Sequence, residues 1–369
     1  MRDSLAHVAM GADAINFFQW RASAFGAESF HSAMVPHAGE DTKLFRQVCE
    51  LGETLRTLAD AGVQGSELER SDTAILFSAE SEWATRSETL PSMKLNHWRD
   101  VRDWYRAFLN AGSRADIVPL KYDWSDYKTV VLPTVLILSA ADTQRLADFA
   151  AAGGRVVVGY ATGLIDENFH TWLGGYPGAG DGLLRDMLGI RGEEFNILGS
   201  GVEGEPEAIR LGAGGEVALE DAAALNGATT RLWQNDVTVT GDRTQASPCT
   251  QARRPTNGSS TAWPRSPAIR TARASDFVGC DLDVADLTKL IRTYLAAPAQ
   301  SQQSQANTDV LHTVRKSADA AFDFYLPRGK KEVELQGVEG EPVVLFQTER
   351  GEENGSYTVR RNGVLVVRR

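Results

Sequence analysis

Cysteine is scarce. Cys49, Cys249 and Cys280 are the only three in 369 residues, too few and too scattered for a disulfide framework, which fits a reducing compartment. No apolar run approaches the roughly 18 residues that a membrane-spanning helix needs, and the amino terminus lacks the charged start, apolar centre and small-residue cleavage site of a signal peptide. The cytoplasm is the expected location, with no membrane partner. Basic residues are also short, 38 against 49 acidic ones, for a net charge of -11. Phosphate recognition needs clustered cations, so this balance argues against a nucleic-acid partner. The six histidines, His7, His31, His37, His97, His170 and His312, fall at no metal-ligand spacing, and no residue cluster implies a metal or another cofactor.

A length of 369 residues exceeds one typical domain and suits two or three, each with its own core. Near the start, Ala12 to Gln19 is an apolar, aromatic-rich run of strand length. Just past it come Trp20, Arg21, Phe25, Glu28, Phe30 and His31, which packs aromatics, a carboxylate and an imidazole into one loop. Barrel enzymes keep their chemistry at the carboxyl ends of their strands. Taken alone, the single Glu28-x-x-His31 spacing describes a solvated helix face, and di-iron sites need two copies of it.

The run MGADAINFFQWRASAFGAESFHSAMVPHAG, residues 10–39, resembles the last barrel strand and following loop of the β-galactosidases of glycoside hydrolase family 42, and the similarity continues through most of the chain. The resemblance implies three parts in order. Residues 1–65 would be the last strand, loop and helix of a (β/α)8 barrel, with most of the barrel absent. Residues 66–295 would be a doubly wound, flavodoxin-like α/β trimerisation domain related to the class I glutamine amidotransferase fold. After a linker at 296–307, residues 308–369 would be a small antiparallel β domain. By the same resemblance, Phe18 and Trp20 give galactose an apolar wall, and Glu28 and His31 hydrogen-bond its hydroxyls. A galactoside is thus the ancestral ligand and a homotrimer the expected assembly.

Retaining glycosidases need two carboxylates about 5–5.5 Å apart, one to attack and one to protonate the leaving oxygen. In the resembled family one follows an Asn on the fourth barrel strand and the other lies on the seventh, before an Asn-Trp pair. Neither motif occurs in this chain; Asn96-His97-Trp98 lies in a helical stretch far downstream. The expectation is a fragment of a retaining β-galactosidase that is inactive alone. The alternative is a non-catalytic oligomerisation module, or one half of a split galactosidase.

After the loop, Glu40 or Asp41 can cap a helix whose Leu44, Val48, Leu51, Leu55 and Leu58 recur at helical spacing and would expose a leucine stripe. From about residue 70, short apolar runs alternate with helical stretches, the pattern of a parallel sheet covered on both faces. Expected strands are Thr73 to Phe77, Ala115 to Pro119, Thr129 to Leu132 and Arg155 to Tyr160. Met93 to Ala111 reads as a helix with Trp98, Val101, Tyr105 and Phe108 inward, and Ala141 to Ala152 as another, stopped by Gly153-Gly154. Cys280, following an apolar strand, lacks the glycine elbow of a nucleophile and reads as a buried small residue. The glycines of 174–180 lack phosphate-loop spacing and read as a flexible loop.

Residues 244–275 stand apart. They hold Arg253, Arg254, Arg265, Arg270 and Arg273, four prolines and no acidic residue before Ser275, between flanks that match the family well. This bias is what out-of-frame translation of a GC-rich gene gives, and it would cost the α/β domain a strand pair and expose its edge. The reading fails if no other frame of the same DNA yields an acidic strand pattern. In 308–369, apolar–polar alternation in five short strands is broken by Arg328-Gly329, Glu339-Gly340, Asn354-Gly355 and the hairpin dipeptide Asn362-Gly363. A packing module is expected there, with Phe322, Phe324 and Tyr325 as an alternative sugar platform.

Overall fold

The computed structural model describes residues 1–199, 208–210, 227–240, 269–272, 275–292 and 308–369. It divides into two compact units, Met1–Arg70 with Asn307–Arg369, and Ser71–Ala306. No helix among the described residues is long and apolar enough to cross a membrane.

The chain opens with helix α1 (Arg2–Ala9), a long loop, helix α2 (Lys43–Asp60) and the short strand β1 (Glu67–Leu68). The expected barrel strand at Ala12–Gln19 is not formed. A strand exists only through a ladder with neighbours, and the nearest pairing is an isolated parallel bridge just past the segment, between Arg21 and Val35. The side chain of Thr42, rather than Glu40 or Asp41, accepts from Phe45 N–H to cap α2.

The second unit begins with β2 (Thr73–Phe77), α3 (Ala79–Ala84), α4 (His97–Asn110), β3 (Asp116–Pro119), β4 (Thr129–Leu132), α5 (Ala140–Ala151) and β5 (Arg155–Gly159). There follow α6 (Leu183–Leu188), β6 (Ile190–Ile197), the two-residue pair β7 (Ile209–Arg210) and β8 (Thr229–Thr230), β9 (Trp233–Val239), β10 (Ile269–Ala272), β11 (Ser275–Val278) and α7 (Val284–Leu290). Strands β3-β2-β4-β5-β11 are parallel neighbours, and β10 joins β11 antiparallel. Counting the parallel strands in chain order gives 2-1-3-4-5, the flavodoxin-like winding.

Alternation along each strand assigns the two faces. Leu76, Val130, Val156 and Phe277 meet Leu146 and Phe149 of α5 and Leu184 and Leu188 of α6. Ile75, Val131, Val157 and Val278 meet Val101, Trp104 and Phe108 of α4 and Leu287 and Leu290 of α7. On α4 it is Trp104, not Trp98, that turns inward; Trp98 is 42% exposed and Tyr105 half-buried. Gly153 ends α5 with φ +96°, and the N–H groups of Gly153 and Gly154 return to Ala150 and Phe149, a closure that needs the left-handed freedom of glycine.

The glycine-rich stretch at 174–180 is packed rather than loose. Tyr176 and Gly192 exchange backbone hydrogen bonds of 2.8 and 2.6 Å, and a Cβ at Gly178 would lie 2.5 Å from Trp172 Cβ. Most of 244–275 lies outside the described residues, so the frame reading is not addressed by the structure. Residues 269–272 form β10, which pairs antiparallel with β11.

The chain closes with β12 (Val310–Lys316), β13 (Ala321–Pro327), β14 (Val333–Leu335), β15 (Glu341–Arg350) and β16 (Tyr357–Arg368), an antiparallel sheet joined by β1. Asn362-Gly363 makes no hairpin, because Val359 and Val364 on either side of it both pair with β15; residues 360–363 form a bulge of β16 opposite Gln347. Any Cβ at Gly363 would fall 2.6 Å from the Gln347 carbonyl, so glycine admits the close approach of β15 at this bulge. Phe322 and Phe324 are fully buried, which removes them as a sugar platform; Tyr325 stacks on His312, with 4.5 Å between ring centroids.

The expected leucine stripe of α2 is largely covered. Leu51 and Leu58, with Leu5 and Val8 of α1, pack on Phe322, Phe324, Val344, Val364 and Val366 of this sheet; Leu44 alone of the five is prominently exposed, at 43%.

Candidate functional site

The loop after α1 carries the four residues expected to face a sugar. Its neck is fixed by backbone bonds: Val35 N–H donates to Trp20 O at 2.7 Å, Ala22 N–H to Val35 O at 3.0 Å and Met34 N–H to Gln19 O at 3.1 Å. His37 Nε2 lies 2.8 Å from Ser23 O, and His31 N–H donates to Glu28 O at 3.0 Å. The tip therefore has a defined path although its side chains face solvent.

Phe18 and His31 meet edge-on with centroids 6.1 Å apart, whereas Trp20 leans on Phe45 of α2 at 5.9 Å. Glu28 shares the His31 turn through its backbone, and its side chain is exposed. The loop thus brings Phe18 to His31 and turns Trp20 toward α2. Phe18 is 68% and Trp20 58% exposed, and Phe25 and Phe30 are almost wholly so. These flat apolar faces beside a carboxylate and an imidazole can hold a pyranose ring by stacking and hydrogen bonding.

The loop does not supply a carboxylate pair. Arg21 binds Glu40 at 3.1 Å, Arg46 binds Asp41 at 2.6 Å and Arg315 binds Asp13 at 2.6 Å. Glu28 is the one loop carboxylate outside these ion pairs among the described residues, and one carboxylate cannot serve as both nucleophile and acid.

The other place to look for chemistry is the carboxyl edge of the parallel sheet, where doubly wound folds bind ligands. A cavity of about 340 Å³ opens there, lined by Arg99, Asp100, Asp103, Tyr160, Cys280 and Asp281 among others. Its polar groups are engaged with one another. Asp100 accepts from Thr134 Oγ1 at 2.5 Å, Tyr160 OH at 2.6 Å and Arg99 at 2.8 Å. Burial pushes the Tyr160 hydroxyl well up, and the neighbouring Asp100 adds to it. The Asp281 carboxylate accepts from Thr230 and from the N–H groups of Arg231, Leu232 and Trp233.

His97 lies at the switch between β2 and β4 and is fully buried. Ser78 N–H donates to its Nε2 at 2.9 Å, and its Nδ1 lies 2.8 Å from the Pro133 carbonyl, which defines a neutral Nδ1–H ring. Burial lowers its pKa, with the Pro133 hydrogen bond opposing. Both nitrogens are occupied, so His97 cannot activate a thiol. Cys280 is 1% exposed within the α4/α7 core. This edge is a folded polar core. The sequence reading missed it, since the one available signal was the Asn96-His97-Trp98 cluster, with Asn96 capping α4 through Arg99 N–H. Among the described residues, no three His, Cys, Asp or Glu side chains gather to ligate a metal.

The described residues thus present a 2-1-3-4-5 domain in one unit and, in the other, a loop with exposed aromatics. Comparison with known proteins gives the class. Residues 71–300 match the family described as Beta-galactosidase trimerisation domain, and residues 1–58 match the one described as Beta-galactosidase. Over its whole length the chain is 39% identical to the beta-galactosidase BbgII of Bifidobacterium bifidum, covering 51% of that protein. It is 42% identical over 201 residues to a beta-galactosidase of an Arthrobacter species, covering 54% of this chain and 28% of that one. In structure it superposes on the cold-adapted beta-galactosidase from Rahnella sp. R3 with TM-score 0.76 and 26% identity, covering 100% of this chain and 50% of that one. The chain belongs to the β-galactosidases of glycoside hydrolase family 42, of which it represents a carboxyl-terminal part. It spans about half the length of the full relatives it matches.

Proposed function

We propose that this chain is the assembly part of a family 42 β-galactosidase, carrying one wall of a galactoside site and no hydrolytic centre of its own. The observation that carries the reading is the extent of the match: the chain aligns end to end with half of its relative, and most of it with the trimerisation domain. The substrate class is terminal non-reducing β-D-galactosides. Phe18 and Trp20 supply the apolar wall, and Glu28 and His31 the hydrogen bonds to sugar hydroxyls. Residues 1–65 close the barrel, 66–295 join three copies, 296–307 link and 308–369 pack. The assembly is a cytoplasmic homotrimer.

Sedimentation velocity tests the assembly. Three times the 40.1 kDa chain mass is expected, and a species that stays at the chain mass over the accessible concentrations contradicts it. A second reading, complementation of a separate barrel chain, is favoured by one observation: Phe17, Phe18, Trp20, Phe25 and Phe30 are all at least 46% exposed on one loop, an apolar surface that a partner would cover. Co-expression with the upstream half of a family 42 relative is then expected to produce galactoside hydrolysis that neither half shows alone. Hydrolysis no greater than the sum of the halves would dismiss it.

A further inference from the structure

We infer that Arg315 of the carboxyl-terminal sheet is a positioning residue for the galactoside wall, fixing through Ala12 and Asp13 the root of the loop that carries Phe18, Trp20, Glu28 and His31. The inference rests on the galactoside reading above and names what sets that wall in place.

First, the guanidinium is committed to the root of the loop. Its Nη1 donates to Val8 O at 3.0 Å and Ala12 O at 2.9 Å, and its Nη2 to the Asp13 carboxylate and Ser66 O, each at 2.6 Å. Its Nε is buried and makes no bond. Val8 lies in the last turn of α1, whereas Ala12 and Asp13 follow Gly11, whose φ of +105° turns the chain away from the helix. A cation at the carbonyl end of a helix is favourable. The planar fork of arginine also holds several acceptors at fixed angles, which a lysine ammonium does not.

Second, this is the last polar tie before the sugar wall. The Asp13 carboxylate also accepts from Gly65 N–H at 3.2 Å, so it joins the loop root to β12 and to the turn before β1. Among the described residues the backbone of 14–18 makes no hydrogen bond, and Ile15 leans on the apolar core between the helices and the sheet. Phe18 follows Asp13 by five residues, a tether of at most ~18 Å. The far end of the loop is held at Val35, which is fully buried and closes on Trp20.

Third, packing does not call for a charge here. Phe322, Phe324, Val364 and Val366 already bury the apolar faces of α1 and α2, and apolar residues in place of a buried ion pair are often as stable. What the guanidinium adds is position. Binding groups keep their geometry when the layer behind them is locked by hydrogen bonds.

The test uses the full chain with Asp13→Ala and Arg315→Lys. Thr313→Val is the control, because it removes the 2.8 Å bond from Thr313 Oγ1 to Ala9 O on the same strand and leaves residues 12–13 untouched. The Asp13 side chain is 47% exposed, so Asp13→Ala keeps the test decisive where Arg315→Lys fails to fold. Two quantities are measured well below the melting temperature: affinity for methyl β-D-galactopyranoside by NMR titration, and hydrogen exchange over 14–36, whose bonded amides include Ala22, Met34 and Val35. Both variants should exchange about tenfold faster there and bind the glycoside about tenfold more weakly, and Thr313→Val should match the parent in both. Parent-like affinity in Asp13→Ala, with or without faster exchange, overturns the inference and leaves the galactoside reading intact. An equal loss in Thr313→Val would trace the effect to general loosening and overturn it too. A parent that does not bind the glycoside overturns the galactoside reading and the inference with it.

Discussion

Arg315 shows how much one side chain can hold. It is fully buried, and it donates to the carbonyls of Val8 at 3.0 Å, Ala12 at 2.9 Å and Ser66 at 2.6 Å and to the Asp13 carboxylate at 2.6 Å. Four acceptors from the first 66 residues thus converge on a strand more than 240 residues later. The Arg315 hydrogen bond holds the Asp13 carboxyl below the usual range, with the Gly65 N–H bond adding to it. Arg315→Ala removes a buried donor from all four, although Val8 O keeps the Gly11 N–H and Asp13 keeps the Gly65 N–H, and a loss of about 1–3 kcal/mol is expected by chemical denaturation. A loss under about 1 kcal/mol would mean that the carbonyls find water. No periodicity announces such a residue, because its partners are distant in sequence; it reads as one more surface arginine in an alternating strand. His97 gives the pH counterpart. Its folded pKa is depressed by burial, so the native ring stays neutral while the unfolded one protonates below about 6.5. Stability is therefore fully present above that pH and falls as pH drops through it, by up to about 1.4 kcal/mol per pH unit. His97→Gln should flatten that part of the stability–pH curve for the 71–306 unit, and an unchanged slope would assign the dependence to another group.

At the scale of elements, the parallel strands and their helices were legible because burial on both faces writes continuous apolar runs between caps. Ser78, Asn96, Ser139 and Asp283 each cap a helix of this unit, and the glycine stop of α5 falls where the sequence places it. Gly153→Ala, at φ +96° with open space around the position, should cost about 1–2 kcal/mol from backbone strain alone. A melt unchanged to within error would show the turn relaxing. What was not legible depends on partners. Ala12–Gln19 has a strand's composition but no ladder, so it is loop. The α2 stripe looked unpartnered because its cover, β13, β15 and β16, lies some 270 residues further on. Leu58→Ala should lower stability by about 2–5 kcal/mol, whereas Leu44→Ala, at an exposed position, should change it little. Equal effects would contradict the packing described. Trp98 and Trp104 differ by six positions on one helix, and only the direction of the sheet decides which turns inward.

For the whole molecule, the chain matches the family from end to end and spans about half of a full relative. The proposed galactoside wall is a local motif, since Phe18, Trp20, Glu28 and His31 lie within 14 residues. The polar core at the sheet's carboxyl edge is not, because Asp100, Thr134 and Tyr160 come from three separate segments. Its groups satisfy one another, which makes that edge rigid rather than reactive. The central claim is that hydrolysis needs residues this chain does not hold. The most direct measurement is the rate at which the purified chain cleaves a chromogenic β-galactoside, compared with buffer and with a full-length family 42 relative. No rate above buffer is expected, at any protein concentration that permits assembly. Turnover that scales with the concentration of the chain and is lost in Glu28→Gln would contradict the account and place a catalytic carboxylate in the loop after α1.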